Sequence, residues 1–103
     1  MYITVRRFEG VTDPPEVARR VREGLVPLIS QIPSFQAYYW VDAGNNVMVS
    51  ISMFDKRAGS EEADRRAPAW VNQHIAALLP PVPPQITGGE VVAYRVKQTE
   101  SAS

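Results

Sequence analysis

The stretch Val47-Met48-Val49-Ser50-Ile51-Ser52-Met53-Phe54 constrains this chain more than any other feature. Strand side chains point alternately to opposite faces. Here both faces carry large apolar groups: Val47, Val49, Ile51 and Met53 on one, Met48 and Phe54 on the other. Three further stretches share the property. Tyr2 to Phe8 sets Ile3 and Val5 against Tyr2 and Phe8. Phe35 to Val41 sets Phe35, Ala37, Tyr39 and Val41 against Tyr38 and Trp40. Glu90 to Lys97 sets Val92, Tyr94 and Val96 against Val91 and Ala93. A sheet built from such strands needs cover on both sides.

Helices supply one cover. After the first strand, Thr12-Asp13-Pro14-Pro15 opens a helix. Asp13 caps free amides, and Pro14 fits the first helical position, where no donor is needed. Val17, Val21, Leu25, Leu28, Ile29 and Ile32 then make one apolar stripe. Gly24 and Pro27 weaken or kink its second half, and Pro33 ends it. Ala43-Gly44-Asn45-Asn46 turns the second strand into the third as a hairpin. Ser60 begins a second helix with Glu61, Glu62 and Asp64 near its positive end. Ala63, Ala67, Trp70, Val71, His74, Ile75 and Leu78 form its inner stripe, which Pro68 bends. The order is β-α-β-β-α-β: an α+β, ferredoxin-like fold with a four-stranded antiparallel sheet and two helices on one face.

The second face is then the open one. On this reading it carries Tyr2, Phe8, Tyr38, Trp40, Met48 and Phe54, with Thr4, Arg6, Ser50 and Ser52 among them. Six such groups exceed the few hundred Å² a monomer exposes. A second copy of the chain is the simplest cover, so a homodimer is expected.

With 103 residues, one domain over 1–97 followed by a flexible tail over 98–103 accounts for the whole chain. Eleven basic residues balance eleven acidic ones, so no net field steers nucleic acid or an anionic membrane. No apolar run approaches the roughly 18–20 residues of a membrane span. Cysteine is missing, which removes disulfides and thiolate metal sites. One histidine and scattered acids give no metal-ligand spacing. The glycines form neither a phosphate loop nor a dinucleotide fingerprint. A cytoplasmic location without metal or cofactor is the expectation. Pro80-Pro81-Val82-Pro83-Pro84 has the spacing of an SH3 ligand, but it joins two core elements, so it reads as a stiff spacer.

Phe35-Gln36-Ala37-Tyr38-Tyr39-Trp40 leading into the third strand, the turn Asp55-Lys56-Arg57, and a following helix with Ala63, Trp70 and Val71 resemble the dimeric α+β barrel proteins. Within them the chain is similar to the antibiotic biosynthesis monooxygenases, over about residues 1–97. The resemblance implies a homodimer with a ligand cleft between sheet and helices. It also implies cofactor-free oxidation or proton transfer on a small aromatic or quinone-like molecule. Haem degraders of this group pair an Asn on the first strand with a Trp and a distant His. Here that Asn is missing, and Trp70 and His74 are four residues apart. A non-catalytic ligand-binding or dimerising module is the alternative reading.

His74 is the expected catalytic residue, the one side chain whose ordinary pKa lies near neutrality. Trp70 and Tyr39 are the expected walls of a substrate site. The same pattern is met by a histidine satisfied within a core and by aromatics that only pack.

Overall fold

The computed structural model describes residues 1–97; the expected tail, 98–103, lies outside them. Strands β1 (Tyr2–Glu9), β2 (Phe35–Gly44), β3 (Val47–Phe54) and β4 (Gln85–Glu90) form one antiparallel sheet in the order β2-β3-β1-β4. Helices α1 (Pro14–Arg20) and α2 (Val26–Ser30) follow β1, and α3 (Arg57–His74) follows β3. This is the ferredoxin-like α+β arrangement that the element order implies.

Asp13 caps α1 as expected, its carboxylate accepting from the Glu16 amide at 3.4 Å, with Pro14 as the first helical residue. Between α1 and α2 the chain stays helical but widens: Val21–Leu25 is a π-turn, with the Val26 amide bonded to the Val21 carbonyl. The sequence explains this. Val17, Val21, Leu25 and Ile29 recur every four residues and are all buried. A strict four-residue repeat outruns the 3.6-residue turn of an α-helix, and one wider turn takes up the drift. The β2–β3 hairpin closes through Asn45 and Asn46 at φ 53° and 61°, the left-handed pair of a type I′ turn. Asn46 also holds Val11 through two hydrogen bonds of 2.8 Å, fixing the hairpin tip to the start of the helical layer.

Three expectations are corrected. The last strand is Gln85–Glu90, not Glu90–Lys97. Gly88-Gly89 reads as a break, yet an edge strand tolerates glycine, and Gly88 lies 3.2 Å under the Tyr2 hydroxyl, measured from where its Cβ would stand. Helix α3 starts at Arg57, before Ser60. Ser60 is buried, its hydroxyl 3.0 Å from that of Thr4. The helix comes so close to the sheet here that a Cβ on Gly59 would meet the Phe54 ring at 2.7 Å.

The third correction is the largest: the two faces are exchanged. Thr4, Phe8, Met48, Ser50, Ser52 and Phe54 are buried beneath the helices, with Tyr38 and Trp40 beside them. Ile3, Val5, Ala37, Tyr39, Val41, Val49, Ile51 and Met53 share the outer face, and none is fully buried. Alternation separates the faces correctly. It does not say which one the helices choose when both are apolar. Phe35 joins the helix side because a bulge between Phe35 and Ala37 shifts the register, and its ring meets Phe54 edge-on at 6.0 Å.

Candidate functional site

Two rows of cross-strand neighbours lie under the helices. One runs Tyr38, Ser52, Thr4, Gly88; the other runs Trp40, Ser50, Arg6, Ile86. The middle of each row is small and hydroxylated, whereas the ends of β3 carry Met48 and Phe54. Above these rows α3 presents Ala63 and Ala67. Small side chains facing small side chains leave a gap, and here it is a cavity of about 580 Å³. Leu25, Ile29 and Val71 complete the apolar roof, and Pro80, Val82 and Pro84 form one side of the mouth.

Trp40 is fixed in this floor. Its ring stacks on Phe8 at 5.3 Å, and its indole N–H donates to the Met48 Sδ at 3.3 Å. A pinned aromatic wall costs no ordering when a flat ligand arrives. Tyr38 contributes a phenol whose pKa is pushed up to about 12 by burial; the Ser50 hydroxyl and the Arg6 charge act in the opposite direction. At neutral pH it is therefore a hydrogen-bond donor and not a base. Arg6 crosses from the floor to the rim and pairs with Asp64 of α3.

The residues expected to form a site, His74, Trp70 and Tyr39, do not line this cavity. His74 ends α3 exposed; its carbonyl accepts from the Arg20 guanidinium at 2.7 Å, and its ring lies 4.8 Å from that of Trp70. Trp70 packs on the π-turn, where a Cβ on Gly24 would stand 2.6 Å from the indole nitrogen. Tyr39 points to the outer face and is 55% exposed. The helix stripe that faces the sheet is Ala63, Ala67, Val71 and Ile75, and Trp70 and His74 flank it. Sequence reasoning missed Ser50, Ser52 and Asp64 as lining residues. A signal existed: two serines between Met48 and Phe54 on one face of β3, matched by alanines four apart on α3.

Among the described residues, no group of three acids or histidines gathers as metal ligands. No described helix is long and apolar enough to cross a membrane.

The backbone resembles several solved structures. A protein of unknown function from Nitrosomonas europaea, NE2512, superposes with a TM-score of 0.73 at 20% identity, covering 95% of each chain. A monooxygenase from the gene ActVA-Orf6 of Streptomyces coelicolor, in complex with the ligand nanaomycin D, gives 0.70 at 12% identity, covering 94% of this chain and 92% of that one. The chain shares the ferredoxin-like α+β fold of these structures. A third structure, described as an antibiotic biosynthesis monooxygenase, gives 0.65 at 17% identity over 90% of this chain and 100% of its own. No family model matches the sequence, and neither does any curated protein.

Proposed function

We propose that the cavity holds a flat aromatic or quinone-like molecule, and that the chemistry done on it is cofactor-free oxidation by dioxygen. The observation that carries this reading is the cavity itself. It is largely apolar, walled by a pinned Trp40 and floored by hydroxyls, in a fold shared with a monooxygenase bound to nanaomycin D. Pockets of roughly 300–1,000 Å³ with a few convergent polar groups suit small ligands. Tyr38, which stays protonated, donates to a ring oxygen; a dihydroxylated ring passes two electrons and its two hydroxyl protons to dioxygen, so that the ring leaves as the quinone and dioxygen as hydrogen peroxide. A non-catalytic binder is favoured by one observation: Asp64 is the only carboxylate among the described lining residues, and Arg6 already holds it.

Saturable binding of neutral anilinonaphthalene, one per chain and lost in Ala67→Trp, is the expected result for either reading. Oxygen uptake with dihydroxynaphthalene that disappears in the same variant separates oxidation from binding. Binding without uptake leaves the binder, and a probe that ignores Ala67→Trp removes the cavity as the site.

The same reading includes a homodimer through the outer face. Strands about 4.8 Å apart, rising about 3.3 Å per residue, make a four-stranded face of roughly 400–500 Å². Beyond β4, residues 91–97 leave the sheet with Val92, Tyr94 and Val96 exposed at 95%, 71% and 70%. Seven residues reach up to about 23 Å when extended, enough to cross a second copy. Face and arm together approach the roughly 800 Å² per partner of a standard interface. Sedimentation as a dimer at micromolar concentration is expected; a monomer throughout would remove this part of the reading.

A further inference from the structure

Arg6 is the feature that a cavity for neutral aromatics does not explain. It is the only basic side chain among the described lining residues, and it rises from the floor of a mostly apolar space. Its side chain is 22% exposed. A mostly covered arginine favours an anionic partner, because burying an unpaired charge is costly. Asp64 provides one, but Asp64 sits on the rim with 49% of its side chain exposed. Pairs with so much solvent contact contribute little. The interaction is therefore easily exchanged for an anion coming from inside, where a guanidinium offers two parallel donors to a carboxylate or sulfonate. The neighbours of Arg6 favour an anion as well. Ser50 is its cross-strand partner, Ser52 and Tyr38 carry further hydroxyls in the same lining, and the Tyr38 phenol remains protonated to donate.

We propose that Arg6 is the anion-recognising group of the cavity, and that the preferred ligands are flat aromatic acids whose charged group takes the place of Asp64 on the guanidinium. This rests on the cavity being the ligand site. The ring system lies along Trp40 and beneath Ala63 and Ala67, and the acid points to Arg6. Asp64 is then a placeholder that keeps the arginine paired in the empty state.

The test compares two probes that differ only by an anionic sulfonate group: anilinonaphthalene and anilinonaphthalene sulfonate. In the wild-type protein the sulfonate should bind at least about tenfold more tightly, as a charge-assisted pair in an apolar site allows. The two probes should compete with each other. Arg6→Met should erase the preference while leaving the neutral probe within about threefold of its wild-type affinity. Asp64→Asn, a change at an exposed position that leaves the fold intact, should tighten the sulfonate about threefold or more and not move the neutral probe. Equal affinities in the wild-type protein, sulfonate binding that does not compete, or a preference that survives Arg6→Met would each overturn the assignment. If Arg6→Met does not fold, an unchanged sulfonate affinity in Asp64→Asn overturns it instead. Failure of the cavity reading looks different: the neutral probe then binds without regard to Ala67→Trp, and the assignment falls with it.

Discussion

The two faces of the sheet reverse the usual rule. The face beneath the helices carries Thr4, Arg6, Ser50 and Ser52 in its middle, although it is the covered face. The outer face carries Ile3, Val5, Val49, Ile51 and Met53, although the chain leaves it open. Antiparallel sheets ordinarily bury the apolar side and wet the polar one. The exchange is informative on both counts. Polar groups under a roof are costly unless partnered, so their presence marks a space kept for something other than packing. Apolar groups in the open gain nothing alone, which is why the proposed homodimer is placed on this face.

The largest expected effect lies at the packed end of the helix side. Phe54 is fully buried between Phe35 and Gly59. Phe54→Ala should cost about 3–5 kcal/mol in urea unfolding. A loss of less than about 1 kcal/mol would mean that this end is as loosely filled as the cavity, and the contrast within the face would vanish.

Next comes the outer face. Ile51 stands at its centre, opposite Val5 on one side and Tyr39 on the other. A lysine there meets water in the monomer but becomes an unpaired buried charge in a dimer. Ile51→Lys should weaken dimerisation about 100-fold, or about 2.7 kcal/mol, with little change in monomer unfolding. A dimer undisturbed by this change would place the interface elsewhere and make the outer face an ordinary surface.

The cavity end of the helix side is tested by alkali. Tyr38 has its folded pKa raised from 10.0 to about 12, chiefly by burial. A group raised on folding contributes stability that is fully present below its unfolded pKa and lost as the pH rises through the folded one. The window is therefore pH 10 to 12. The loss amounts to about 2 kcal/mol, and Tyr38→Phe should be free of it. Unfolding curves at pH 9 and pH 12, compared between the two proteins, check this; identical pH dependence would mean that Tyr38 is open to water.

Much of this was legible in the sequence. Asp13 and Pro14 mark the helix start, Asn45-Asn46 marks the hairpin, and period-two alternation sorts the strand residues into two correct sets. What alternation lacks is an absolute reference. With apolar groups on both parities, Val49 and Met48 are equally good core residues on paper, and only the packed helices decide between them. Glycine misled for a similar reason: Gly88-Gly89 has poor strand propensity but an edge position that forgives it. Val91 to Val96 has the better propensity and no partner strand among the described residues.

The smallest expected effect concerns His74, the residue that composition singles out most strongly. A lone histidine on a helix four residues after a tryptophan reads as a pair facing inward. In the folded chain the inward positions are Ala63, Ala67, Val71 and Ile75, a set that advances by fours and so leaves Trp70 and His74 on the flank toward Gly24. The histidine's fixed link is its backbone carbonyl, held by Arg20, which any residue supplies. His74→Ala should therefore change stability by no more than about 0.5 kcal/mol, as for other surface positions. It should also leave the affinity for both naphthalene probes and any oxygen uptake within about twofold of wild type. A loss of uptake with unchanged probe binding would restore His74 as a proton-transfer group, and would require the face beside Trp70 to hold the reacting molecule in place of the cavity above Ser50.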